Sequence, residues 1–127
     1  MKHGMPSQRQ LRVGEQVRHV LSDTLRRGSF HDEALIDTSA LSISEVRMTP
    51  DLKQARAYVA SLAKDQLEEA LEALNQAAPY FQKELNRGLD TKFTPRVQFL
   101  ADHAQEAVDR LEEIFHNLPK PAEDDTK

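Results

Sequence analysis

A long apolar stripe with one proline inside it constrains this chain most. Leu67, Ala70, Leu71, Leu74, Ala78, Phe81, Leu85 and Leu89 recur at the three- and four-residue spacing of a single helix face, and Pro79 interrupts the run. Proline lacks a backbone donor, clashes with the carbonyl four residues earlier and biases the preceding residue away from helical angles. The stretch must therefore be two helices, or one sharply kinked helix, meeting at Ala77, Ala78 and Pro79. Because the stripe keeps its phase across the joint, both halves are expected to face the same sheet. Asp65 and Glu68, at capping-box spacing, are expected to start the first half.

The rest of the chain supplies that sheet. Leu41 to Met48 predicts a strand whose apolar phase changes near Ser44 and Glu45, as in a bulge or a strand buried on both faces. Thr49-Pro50-Asp51-Leu52 has turn chemistry, and Ala55 to Leu62 follows as a second strand, so the pair predicts an antiparallel hairpin. Thr94 to Ala101 predicts a third strand, with Pro95 tolerated at its start. Before the hairpin, Val13, Val17, Val20, Leu21 and Leu25 mark a helix over 8–27, with Ser7 as its N-cap and Gly28 as its stop. After the third strand, Asp102 can cap a last helix with the stripe Ala104, Val108, Leu111, Phe115 and Leu118, which Pro119 ends. All these stripes are expected to be core. The order α-β-β-α-α-β-α predicts an α+β domain with helices layered on a small sheet.

Length and composition fit one domain over 8–118, flanked by a flexible N-terminus at 1–7 and a disordered acidic tail at 119–127. A chain of 127 residues buries about two-thirds of its unfolded surface, enough for a core without staples. With no cysteine, disulfides, thiolate metal sites and cysteine nucleophiles are excluded. No uninterrupted apolar run approaches a membrane span, and the first ten residues contain no apolar signal core, which argues for a cytoplasmic protein. The five histidines form no His-x-x-x-His pair, no Gly-x-Ser-x-Gly elbow surrounds a serine, and no phosphate-binding glycine loop occurs. Neither an enzyme, a metal nor a cofactor is expected.

Charge is segregated along the chain. The first thirty residues hold six basic against two acidic residues, a net of +4, whereas the remainder holds 11 against 19, a net of −8. Arg12, His19 and Arg26 repeat every seven residues on one side of the first helix. Within the acidic part, Lys83, Arg87, Lys92 and Arg96 outnumber Glu84 and Asp90. The two basic segments either converge into one anion-binding face or are ordinary solvated helix faces, and charge alone leaves both open.

Several pieces resemble the ribosome-binding factor A family in order and spacing. They are the basic opening helix ending near Leu25, Ile43-Ser44-Glu45-Val46-Arg47-Met48-Thr49-Pro50-Asp51-Leu52 running into Ala55-Arg56-Ala57-Tyr58-Val59, and Lys92-Phe93-Thr94-Pro95-Arg96-Val97-Gln98-Phe99 before Asp102. The resemblance spans about Arg9 to Leu118. It implies a type II KH-like fold, a three-stranded sheet with the helices packed on one face, in a non-enzymatic factor. That factor would bind the free 30S subunit and assist late maturation and processing of 16S rRNA. In the family a kink, usually Ala-x-Gly, replaces the Gly-x-x-Gly loop of other KH domains, and here proline stands where glycine is usual. On this reading Arg9, Arg12, Arg18, Arg26, Lys83, Arg87, Lys92 and Arg96 contact RNA phosphates, Tyr80 is the first ring to test for stacking, and basic ribosomal proteins are further partners of a monomer. A protein-interaction adaptor and a ribosome-associated dormancy factor are the alternatives.

Overall fold

The computed structural model describes residues 5–28, 30, 35 and 38–118. The expected tail at 119–127 and the first four residues lie outside these. The elements are α1 (Gln8–Arg27), β1 (Leu41–Met48), β2 (Gln54–Ser61), α2 (Leu67–Gln76), α3 (Ala78–Gly88), β3 (Arg96–Ala101) and α4 (Ala104–Asn117). This is the α+β order expected of the type II KH-like arrangement. β2 is central, antiparallel to β1 and parallel to β3.

Ser7 and Gln10 form a reciprocal capping box at the start of α1. The Gln10 Nε2 then donates to the Met48 carbonyl at 2.9 Å, which fixes the helix end to β1. Gly14 faces the same strand, and a Cβ there would lie 2.8 Å from the Val46 carbonyl oxygen. Only glycine permits so close an approach of helix and strand. The expected phase change in β1 is a bulge, with the register shifting between Ile43 and Glu45. In the hairpin turn the Asp51 carboxylate accepts from Lys53 N–H and the Thr49 hydroxyl, and Leu52 carries a φ of 63°. That left-handed conformation costs a non-glycine residue about 1 kcal/mol, offset here by packing of Leu52 against the core.

The chain breaks at Ala77, as expected from Pro79. Ala77 closes α2 through its N–H to the Ala73 carbonyl and opens α3 by accepting from Tyr80. Pro79 sits in the first turn of α3, where no donor is needed. Both halves pack on β3, and Leu74, Phe81 and Leu85 are fully buried on either side of the joint. Phe81 meets Phe99 of β3 edge-on at 5.0 Å and stacks on Phe30 at 5.6 Å. Asn75 and Gln82 close the outer edge of β3. Asn75 gives and accepts a hydrogen bond with the Phe99 backbone at 3.0 and 2.9 Å, while Gln82 binds the Pro95 carbonyl and Val97 N–H. An edge strand so covered cannot pair with another chain.

Three expectations need correction. The Asp65–Glu68 capping box does not form: a 3-10 turn at Lys64–Gln66 precedes α2, and the Ser61 hydroxyl takes the Ala63 N–H instead. Two strands have other bounds than expected: β2 is shifted by one residue, to Gln54–Ser61, and β3 is shorter, starting at Arg96 after the donor-less Pro95. The apolar stripe of α4 is not core. Val108, Leu111, Ile114 and Leu118 are about half exposed and Phe115 is 67% exposed, because α1, α2 and α3 already fill the covered face of a three-stranded sheet. The helices thus pack on one face except for α4. That helix is attached through Asp102, which accepts from the Ala104 N–H at 2.9 Å and from the Ser44 hydroxyl of the bulge at 2.5 Å.

Candidate RNA interface

The eight basic residues fall into separate groups. Lys83 of α3 and Arg96 of β3 line a groove of about 750 Å³, together with Ala78 and Pro79 of the kink and Gln82, Asn86, Thr94 and Val97. The kink and the second basic segment, remote in the sequence, thus share one site. The fold explains why: α3 starts at Pro79 and runs along the start of β3, so each turn of α3 projects a residue over that strand. The Thr94 hydroxyl donates to Asn86 Oδ1 at 2.8 Å across the groove. Among the described residues neither Lys83 nor Arg96 has an ion-pair partner.

Arg18 and Arg26 line a smaller cleft of about 250 Å³ between α1 and β1, with His19, Ser22, Thr38 and Ser42 on its walls. Arg87 lies elsewhere, in a seam of about 290 Å³ between α1 and α3 that also holds Arg27, Asp23 and Glu84. Arg9 and Arg12 stand exposed on α1. Lys92 lies on the loop before β3, its ammonium 5.7 Å from the centre of the Phe93 ring. One continuous basic face does not result.

Most of these arginines are already engaged. Arg18 hydrogen-bonds Glu15, Arg27 pairs with Asp23 at 2.8 Å, Arg26 approaches Asp23 at 3.9 Å, and Arg87 pairs with Glu84 at 3.1 Å. The Arg18 hydrogen bond holds the Glu15 carboxyl below its ordinary range, and Arg27 does the same to Asp23. These pairs lie at the surface and are worth little to stability, but each carboxylate offsets the charge of an arginine beside it. The signal for this was present in the sequence, since every acid lies one helical turn from its arginine.

Tyr80, the ring singled out from the sequence, is partly occupied by edge contacts to Phe30 and Phe81 at 5.5 and 5.9 Å. Phe93, which periodicity did not mark, is 62% exposed, precedes Thr94 of the groove in the chain and adjoins Lys92. A free ring next to a cation suits a base and its phosphate. Taken together, the residues offer cations, amide groups, hydroxyls and an apolar floor, a set whose chemistry suits an anionic polymer.

The architecture defines a small KH-like α+β domain with cationic grooves where its helices meet the sheet. The model of the family described as ribosome-binding factor A matches residues 9–115, and the chain belongs to that family. A curated ribosome-binding factor A from Chelativorans sp. is 42% identical over 125 residues, covering 98% of this chain and 92% of that one. Among solved structures, the crystal structure of ribosome-binding factor A from Thermus thermophilus superposes with a TM-score of 0.63 at 24% identity, covering 75% of this chain and 97% of that one. A homology model of the Thermus thermophilus factor, fitted into a cryo-electron microscopy map of a 30S complex with it, gives a TM-score of 0.58 at 23% identity over 74% and 96% of the two chains. At these identities the structural likenesses speak for the fold.

Proposed function

We propose that this protein is a non-enzymatic assembly factor that binds the free 30S subunit and assists late maturation and processing of 16S rRNA. It acts as a cytoplasmic monomer, and residues 8–118 form its RNA-binding domain. The observation that carries the reading is the groove at the kink, where Lys83 and Arg96 present charge with no ion-pair partner among the described residues. The complex of the Thermus thermophilus factor with 30S supports the choice of partner. Phosphate contacts of this kind position a protein on RNA without reading sequence, so selectivity would come from the shape of the immature subunit. Arg9, Arg12, Arg18, Arg26, Arg87 and Lys92 would add weaker contacts around the groove.

Sedimentation against free subunits and joined ribosomes tests this. The protein should travel with free small subunits at low salt, dissociate steeply as salt rises, and its deletion should accumulate precursor small-subunit RNA. Protein remaining at the top of the gradient at low salt would refute it. One observation favours a second activity, that of a protein adaptor: the uncovered stripe of α4 is flanked by Glu112 and Glu113, which suits a basic ribosomal protein. Charge reversal at Lys83 and Arg96 separates the two, since adaptor binding through α4 would survive it.

A further inference from the structure

The three strands alternate in exposure. Ala55, Ala57, Val59, Val97 and Phe99 point into the helix layer, whereas Arg47, Gln54, Arg56, Arg96 and Gln98 are exposed on the opposite face of the sheet. The register gathers the arginines on that face. Arg47 of β1 stands directly opposite Arg56 of β2, and Arg96 of β3 pairs with Gln54, one step diagonal from Arg56. With strands about 4.8 Å apart, the three guanidinium groups cross the sheet in one band. Like charges directly opposite one another weaken a sheet, and a solvated face could be made of neutral polar residues without that cost. Among the described residues only Glu45 offsets the band, by pairing with Arg47 at 2.8 Å, and Arg56 and Arg96 have no ion pair there. The Arg47 guanidinium also lies 5.6 Å from the centre of the Tyr58 ring on the same face, making a flat surface of cation and ring.

Arg96 joins this face to the groove, because it lines the groove and is exposed on the sheet. We propose that the open sheet face is a second RNA-binding surface, where Arg96, Arg56 and Arg47 in turn hold the phosphates of an unpaired strand leaving the groove. Tyr58 and Arg47 offer that strand a stacking surface. The occupant follows from charge complementarity: three cations in a row, with one partly neutralised, fit a regularly spaced polyanion. The proposal rests on the RNA-binding reading above and extends it to residues outside the groove.

The test is fluorescence anisotropy of a labelled oligouridine with the full chain across a salt series, comparing wild type, Arg47→Gln with Arg56→Gln, and Lys83→Gln. Two lost contacts should weaken oligouridine binding about five- to tenfold at low salt and flatten the log–log salt slope by about 1.4. The thermal midpoint should stay level or rise, since a like-charge pair is removed. Unchanged affinity and slope in the double variant, with weakening in Lys83→Gln, would overturn the sheet-face proposal and leave the groove reading intact. Failure of the wild type to bind either oligouridine or small subunits would overturn both. Tighter capture of a polyglutamate peptide than of oligouridine at equal salt would assign the face to an acidic protein segment and likewise overturn the proposal.

Discussion

The groove between α3 and β3 and the cleft between α1 and β1 each present two cations, yet they differ in what surrounds them. Lys83 and Arg96 have no carboxylate partner among the described residues, whereas Arg18 hydrogen-bonds Glu15 and Arg26 approaches Asp23. A count of arginines along the chain ranks α1 as the more basic segment. Partnering reverses that order: charge available to a ligand is what remains after neighbours one turn away have been satisfied.

The largest expected effect comes from breaking the stronger site. Lys83→Glu with Arg96→Glu should weaken small-subunit binding about a hundredfold at low salt, near 2.7 kcal/mol, by co-sedimentation. Arg18→Glu with Arg26→Glu should cost about tenfold or less in the same assay. Equal losses would erase the distinction between the sites. Stability tests the frame that holds the groove open: Asn75→Ala strands the Phe99 N–H and carbonyl and should lower unfolding free energy by about 1–2 kcal/mol in denaturant titration. Conversely, Glu15→Gln frees Arg18 and should strengthen RNA binding by about two- to threefold, with a steeper salt dependence.

The smallest effect concerns pH. Hydrogen bonds from the Ser44 hydroxyl and then the Ala104 N–H hold the Asp102 carboxyl below its ordinary range. A depressed carboxyl contributes stability that is complete above its unfolded pKa of about 4 and is lost as pH falls through the lower folded value. The protection factor of the Ala104 amide, its intrinsic exchange rate relative to the observed rate at the same pH, should therefore fall on acidification below about pH 4, and Asp102→Asn should flatten that dependence.

Local rules carried much of the fold into the sequence. Pro79 marks the break between α2 and α3, the phase change at Ser44 marks the bulge, and Ser7 marks the start of α1, because each acts through its own backbone within a few residues. What was hidden depends on distant partners. Asn75 and Gln82 look like surface amides until β3 lies beside them. The stripe of α4 shows which side of that helix is apolar but not what covers it, and the first three helices already fill the covered face of the sheet. For the candidate site, residue types were legible while their grouping was not: Lys83 meets Arg96 only because α3 runs along β3, and Arg47 meets Arg56 only through the hairpin register.

Salt-dependent co-sedimentation of the wild type and the two charge-reversed pairs with free small subunits tests the central claim most directly. The wild type should bind at low salt, the Arg18 and Arg26 variant should bind somewhat less, and the Lys83 and Arg96 variant should remain near the top of the gradient. Binding of the Lys83 and Arg96 variant at the wild-type level would contradict it.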